Sequence, residues 1–114
     1  MTEQDLASSV KEKIPVIVII LDNRYLGMVA QWQRLFYDRR YSATHLGETP
    51  DFVKLAEAFG AQGTYVGSIS EFKRAVKEAM KSDVTTVIDV PIHPEENVFP
   101  MVPPGEDIRK MIKG

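Results

Sequence analysis

The chain could begin to do chemistry where residues 15–21, PVIVIIL, end at Asp22-Asn23 and give way to Arg24-Tyr25-Leu26-Gly27. In open parallel α/β sheets, ligands collect beyond the carboxyl ends of the strands. An Asn side-chain oxygen and nearby main-chain carbonyls suit a hard cation such as Mg2+, which commonly also holds phosphates. The same residues suit a plain turn that caps the next helix, and spacing alone leaves both readings open. Further on, Trp32 lies among Gln31, Gln33 and Arg34. A ring at helical spacing is usually core, but in so polar a setting a half-exposed Trp also suits the wall of a binding site.

Other side chains point to less. His45 and His93 are the only histidines, and neither has neighbours that would make a metal pair or a catalytic constellation, so no catalytic residue is assigned. Gly27 stands alone, Gly60, Gly63 and Gly67 read as caps and turns, and a glycine-rich phosphate loop is absent from the sequence. The absence of cysteine excludes disulfides, thiolate metal sites and a cysteine nucleophile. A net charge of −2 with no basic block gives no reason to expect nucleic acid or a membrane surface as partner. The longest apolar run is far too short to span a bilayer. Polar and acidic residues precede it, unlike a secretory signal, so a cytoplasmic protein is expected.

The elements that must position these residues follow from pattern. Residues 2–13 read as a helix capped by Thr2, with Leu6, Val10 and Ile14 on one face. Pro15 ends it and opens a strand over 15–21 that is β-branched and does not alternate, as in a parallel sheet buried on both faces. A helix over 26–37 carries Met28, Trp32 and Leu35 or Phe36 at spacings of three and four, and 39–49 is a polar connection. A second capped helix ends at Gly60, and 63–67 is a short strand. Ser68 and Glu71 make a capping box for a helix over 70–82 whose buried stripe would be Phe72, Ala75, Val76, Ala79 and Met80. A strand over 84–92 and a proline-rich tail over 93–114, closing on a short helix at 107–113, complete one α/β unit over 1–114. Strands alternating with helices imply right-handed crossovers, hence a partial three-layer sandwich on a mainly parallel sheet.

The segments MTEQDLASSV, PVIVIILDNRYLGMVAQWQRLFYDRRYSATH and PDFVKLAEAFGAQG, with the terminal MVPPG, together resemble the C-terminal, diphosphate-binding domain of thiamine diphosphate-dependent enzymes. Within that group they resemble the catalytic subunits of acetolactate (acetohydroxyacid) synthases, over essentially the whole chain. The resemblance implies a thiamine diphosphate-binding fold and particular roles. Asn23 matches the Asn that closes the family's cofactor motif, its side-chain oxygen binding Mg2+ together with the main-chain carbonyl of Tyr25. Relatives commonly have Asn-Asn where this chain has Asp22-Asn23, and the expected ligand is retained. Gly27 and Met28 match residues beside the cofactor. Val29 and Trp32, with Met101, Pro104 and Gly105 of the tail, match the channel through which the second 2-keto acid enters.

The implied reaction is decarboxylation of pyruvate followed by condensation with pyruvate or 2-ketobutyrate, an early step toward branched-chain amino acids. Pyruvate oxidase, glyoxylate carboligase and a non-catalytic assembly module are the alternatives, and Gln-Trp-Gln with MVPPG argues against the first two. The family motif opens on Gly-Asp-Gly, which this sequence lacks, along with the pyrimidine domain, its activating Glu and the FAD-binding domain. The expectation is therefore a fragment truncated at its N-terminus. It should be inactive alone, belong with the remainder of a catalytic subunit or a partner chain carrying Gly-Asp-Gly, and form a homo-oligomer through an exposed strand edge.

Overall fold

The structure is a computed structural model and describes residues 3–48 and 50–114. In chain order the elements are α1 (Gln4–Lys11), β1 (Ile17–Asp22), α2 (Gly27–Phe36), α3 (Phe52–Ala58), β2 (Gln62–Tyr65), α4 (Ile69–Ala79) and β3 (Thr86–Pro91), then a single 3-10 turn at Ile108–Lys110. The sheet has order β1-β3-β2 and is parallel throughout. Thr2, read as the cap of the first helix, lies outside the described residues, as do Met1 and Thr49.

Local chemistry sets the element ends. Asp51 caps α3 by accepting the Lys54 N–H at 3.0 Å. At the other end, Ala61 N–H bonds the Ala56 carbonyl and Gly60 N–H bonds that of Glu57. This paired closure needs a left-handed residue, and Gly60 supplies it at φ +81°. Ser68 accepts the Glu71 N–H, while the Glu71 carboxylate reaches back to the Gly67 N–H at 2.8 Å, a capping box whose return arm falls one residue early. Gly63 is a strand residue and not a turn: a Cβ there would lie 2.6 Å from the Val53 carbonyl, so its bare backbone lets α3 sit directly on β2.

β3 is the centre of the molecule. Ile88 meets Val66, Ala75 and Ala79, with Phe72, Val76 and Val90 around them, so α4 covers that face. On the opposite face Val87 meets Ala56 and Ala61, with Leu6 and Val10 of α1 over Val18 and Ile20. Helices thus lie on both faces of the sheet at β3, as the α/β pattern implies. Met80, assigned to the buried stripe of the fourth helix, is instead 74% exposed, because it caps α4 beyond the last turn that reaches the sheet. Ile14 likewise lies past the end of α1 and is exposed. The tail helix expected over 107–113 is reduced to the 3-10 turn.

β1 departs from its expected burial on both faces. Its pattern alternates, with Val18 and Ile20 half-buried under α1 and Ile17, Ile19 and Leu21 exposed. Register explains this: Ile19 lies beside Ile88 and Leu21 beside Val90, on the α4 face, but α4 covers only β3 and β2. β1 is also an outer strand, and beside it opens an apolar cleft of about 720 Å³ lined by residues such as Leu6, Val18, Ile20, Phe52 and Leu55. The chain is extended. Its radius of gyration is 17.1 Å, against about 13 Å for a compact domain of this length. Its accessible surface is 8328 Å², where a folded monomer of this mass exposes about 6,300 Å².

Candidate functional site

The turn from β1 into α2 is built by two side chains folding back on their own backbone. Asp22, 8% exposed, accepts the Arg24 N–H at 2.8 Å through one carboxylate oxygen and the Arg24 Nε–H at 2.8 Å through the other. Arg24 is thereby held in the left-handed region at φ +59°, a conformation that costs a non-glycine residue roughly 1–2 kcal/mol. Asn23 Oδ1 accepts the Tyr25 N–H at 3.0 Å. The turn reading of both Asp22 and Asn23 is therefore correct, but neither caps α2, whose N-cap is Leu26 with no side-chain acceptor.

The ligand reading of Asn23 is compatible with that turn. An amide oxygen has two acceptor positions, and one N–H occupies only one of them. Tyr25 is bridged antiparallel to His45, with Leu46 N–H donating to the Arg24 carbonyl and Leu26 N–H to that of Thr44, both at 2.8 Å. An extended residue between two such bonds turns its own N–H and C=O away from the pairing segment. The Tyr25 N–H accordingly goes to Asn23, and among the described residues none donates to the Tyr25 carbonyl. Asn23 Oδ1 and the Tyr25 carbonyl thus sit on one side of one turn, at the start of a ten-residue helix. A Cβ at Gly27 would lie 3.0 Å from Asn23 Nδ2, so glycine leaves room for the carboxamide. Two hard, neutral oxygens beside a helix N-terminus fit part of the shell of a divalent cation with an attached diphosphate. Among the described residues there is no cluster of three or more His, Cys, Asp or Glu side chains that could hold a metal instead.

His45 supports this turn. Its ring packs 4.9 Å from that of Tyr25, with Tyr41 at 6.2 Å on the same ring.

Along α2 the expected cofactor residue Met28 and channel residues Val29 and Trp32 share one face. Met28, Val29 and Trp32 are all exposed, Trp32 at 43%, and Phe36 continues the stripe. The opposite face buries Ala30 and Gln31. Gln31 is a residue that sequence reasoning passed over as mere polar context for Trp32. Its carboxamide accepts the Val98 N–H at 2.8 Å, donates to the Val98 carbonyl at 3.0 Å and reaches Met101 Sδ at 3.1 Å. Arg34, one turn on, donates to the carbonyls of Glu95 and Pro94. The tail is therefore stitched to α2 as a strand would be, and Met101 is brought to it. The signal was available as two long polar side chains three residues apart. Pro104 and Gly105 lie on an exposed turn, and among the described residues no hydrogen bond ties them to α2.

Close to the Asp22–Arg24 pair lies Asp89 on β3, 4% exposed, with one carboxylate oxygen that has no hydrogen-bond partner among the described residues. Burial raises its pKa, and the Asp22 charge raises it further, with Arg24 opposing.

Three comparisons bear on what such a site serves. The family model described as thiamine pyrophosphate enzyme, C-terminal TPP binding domain, matches residues 1–90. The chain is 46% identical over 113 residues to a probable acetolactate synthase large subunit of Methanocaldococcus jannaschii, covering 99% of this chain and 19% of that protein. It is 39% identical over 113 residues to the acetolactate synthase isozyme 2 large subunit of Escherichia coli, covering 99% of this chain and 21% of that one. Among solved structures, the thiamine diphosphate-dependent 4-hydroxybenzoylformate decarboxylase of Rhodococcus jostii superposes with a TM-score of 0.76 at 32% identity, over 83% of this chain and 18% of that one. The chain thus spans about a fifth of the length of the curated relatives it matches.

Proposed function

Since the chain belongs to the thiamine pyrophosphate enzyme family as a C-terminal TPP-binding domain, we propose that it is the cofactor-holding part of an acetolactate synthase. The observation that carries this reading is the pairing of Asn23 Oδ1 with the Tyr25 carbonyl, to which no described residue donates, at the carboxyl end of β1. In this reading those two oxygens would hold Mg2+ and, through it, the diphosphate, with Gly27 beside the cofactor and Met28 near its thiazolium. When bound, thiamine diphosphate supplies carbanion stabilisation, and the protein supplies orientation. Val29 and Trp32, with Met28 beside them, wall the approach of the second 2-keto acid to the two-carbon unit left when pyruvate loses CO2, and Met101, Pro104 and Gly105 close over it. FAD belongs to the parent enzyme and not to this chain. The reading implies the cytoplasm; among the described residues no helix is long and apolar enough to cross a membrane.

In the same reading the second side-chain Mg2+ ligand of the family pattern and its activating Glu come from outside this chain. The chain alone is therefore inactive, and its partner is the remainder of a catalytic subunit or a chain carrying Gly-Asp-Gly. Surface area supports a partner. The excess over a compact monomer is about 2,000 Å², more than the roughly 800 Å² per partner that a standard interface buries. β1 offers a free edge and an apolar face to such a partner.

The test is complementation. Mixed with the archaeal relative truncated before the segment that matches this chain, it should produce acetolactate from pyruvate, while each piece alone produces none. A mixture that associates yet stays inactive would contradict the assignment.

A further inference from the structure

Asp22 differs from the Asn that the resemblance leads one to expect, and it is the hub of the turn. Both carboxylate oxygens bind Arg24, one at the backbone N–H and one at Nε, each at 2.8 Å. Arg24 Nη1 extends the connection to the Pro50 carbonyl, at 3.4 Å, immediately before the α3 cap Asp51. The pair is partly withdrawn from water, with side-chain exposures of 7% for Asp22 and 35% for Arg24. In such a setting a fork-shaped, charge-assisted contact is stronger than an exposed ion pair. It also holds Arg24 at φ +59°, which a side chain without an acceptor would tend to abandon.

We infer that the Asp22–Arg24 clamp is a positioning device that sets the turn in the conformation in which Asn23 Oδ1 and the Tyr25 carbonyl converge. It does so before any ligand arrives. This rests on the cofactor reading for its purpose but not for its existence: Asp22 and Arg24 act through the turn and do not themselves supply a ligand atom. In an Asn-Asn sequence the first Asn can accept the same backbone N–H but lacks the charge that draws in the guanidinium. Asp22 thus couples the ligand turn to the start of α3 through Arg24, whereas an Asn leaves the turn to its backbone bond alone.

The decisive measurement is amide hydrogen exchange on the full chain without ligand, comparing wild type with Asp22→Ala, Asp22→Asn and Arg24→Ala. Tyr25 is the informative amide, because its acceptor, Asn23, is untouched in every variant. Asp22→Ala should speed exchange at Tyr25, Leu26 and Leu46 at least tenfold while amides of β3 and α4 keep their wild-type rates. Asp22→Asn should restore most of the protection at Tyr25, and Arg24→Ala, which keeps the Asp22 acceptor, should lose several-fold. Tyr25 exchange unchanged in both alanine variants would overturn the proposal, as would acceleration spread evenly over the sheet. Should Asp22→Ala fail to fold, Arg24→Ala decides by the same criterion. Titration of the same proteins with Mg2+ and thiamine diphosphate separates the purpose from the device. If wild type binds, Asp22→Ala should weaken binding at least tenfold. If wild type does not bind, the cofactor reading for the isolated chain fails while the exchange result still decides the clamp.

Discussion

The two ends of the sheet have opposite surroundings. On the β3–β2 side, Ile88 is fully buried beneath α4, Val87 lies beneath α3, and the helices that cover them are capped at both ends. On the β1 side the same kind of residue, Ile19, is directly beside Ile88 in register and yet is exposed. Both strands are apolar and β-branched, so side-chain type does not distinguish them. The difference lies in what covers each. The covered half carries the stability, and the open half carries the turn, the apolar α2 face and the tail that the proposed function uses.

That contrast can be broken by mutation. Ile88→Ala should cost about 2–5 kcal/mol, the usual range for truncating a fully buried aliphatic side chain, whereas Ile19→Ala should change the urea midpoint only slightly. Equal losses would mean that β1 is covered in solution. Gln31→Ala should release the tail, exchanging two hydrogen bonds to the Val98 backbone for bonds to water, at about 0.5–1.5 kcal/mol each. Limited proteolysis should then cut within 94–101 while α4 and β3 stay intact. Uniform degradation would show that the tail is not a separate layer.

Asp89 tests the boundary between the halves. Its pKa is raised in the folded protein, so its contribution to stability is greatest below the ordinary carboxylate value of 3.8 and is lost as pH rises through its own raised value. Asp89→Asn should remove that slope and gain on the order of 1 kcal/mol at neutral pH relative to acid. The observable is the difference between variant and wild-type urea unfolding across pH, which cancels the opposite trend of Asp51, whose pKa is lowered by the Lys54 backbone N–H. A difference independent of pH would mean that Asp89 finds a partner in solution. The smallest effect on stability, within about 0.5 kcal/mol, is expected for Ile19→Lys. Its effect should fall on association, because a charge on the open edge blocks strand pairing between copies. Light scattering should show wild type self-associating with concentration and the variant monomeric; a monomeric wild type would remove the edge as an interface.

Much of this was legible in the sequence. The helix–strand alternation gave the parallel sheet, and Ser68, Asp51 and Gly60 marked element ends with their own hydrogen-bonding chemistry. Legibility failed where burial depends on distant parts. The run PVIVIIL reads as a doubly covered strand because hydrophobicity records what a strand can be buried by, not whether a cover is present. Gly63 opens the expected strand, but the reason for a glycine there, the close approach of Val53, cannot be seen locally. Gln31 was missed because its partner, Val98, is far along the chain. At the site, the turn at Asp22-Asn23 was legible from residue type, but the contact of both Asp22 carboxylate oxygens with Arg24 needed the three-dimensional structure.

The central claim is that the β1–α2 turn holds Mg2+ and a diphosphate, and calorimetric titration of the chain with Mg2+ and thiamine diphosphate, in wild type and Asn23→Ala, tests it most directly. The account predicts binding in wild type that requires Mg2+ and is abolished by Asn23→Ala. No binding in wild type, or binding that survives the loss of Asn23, would contradict it.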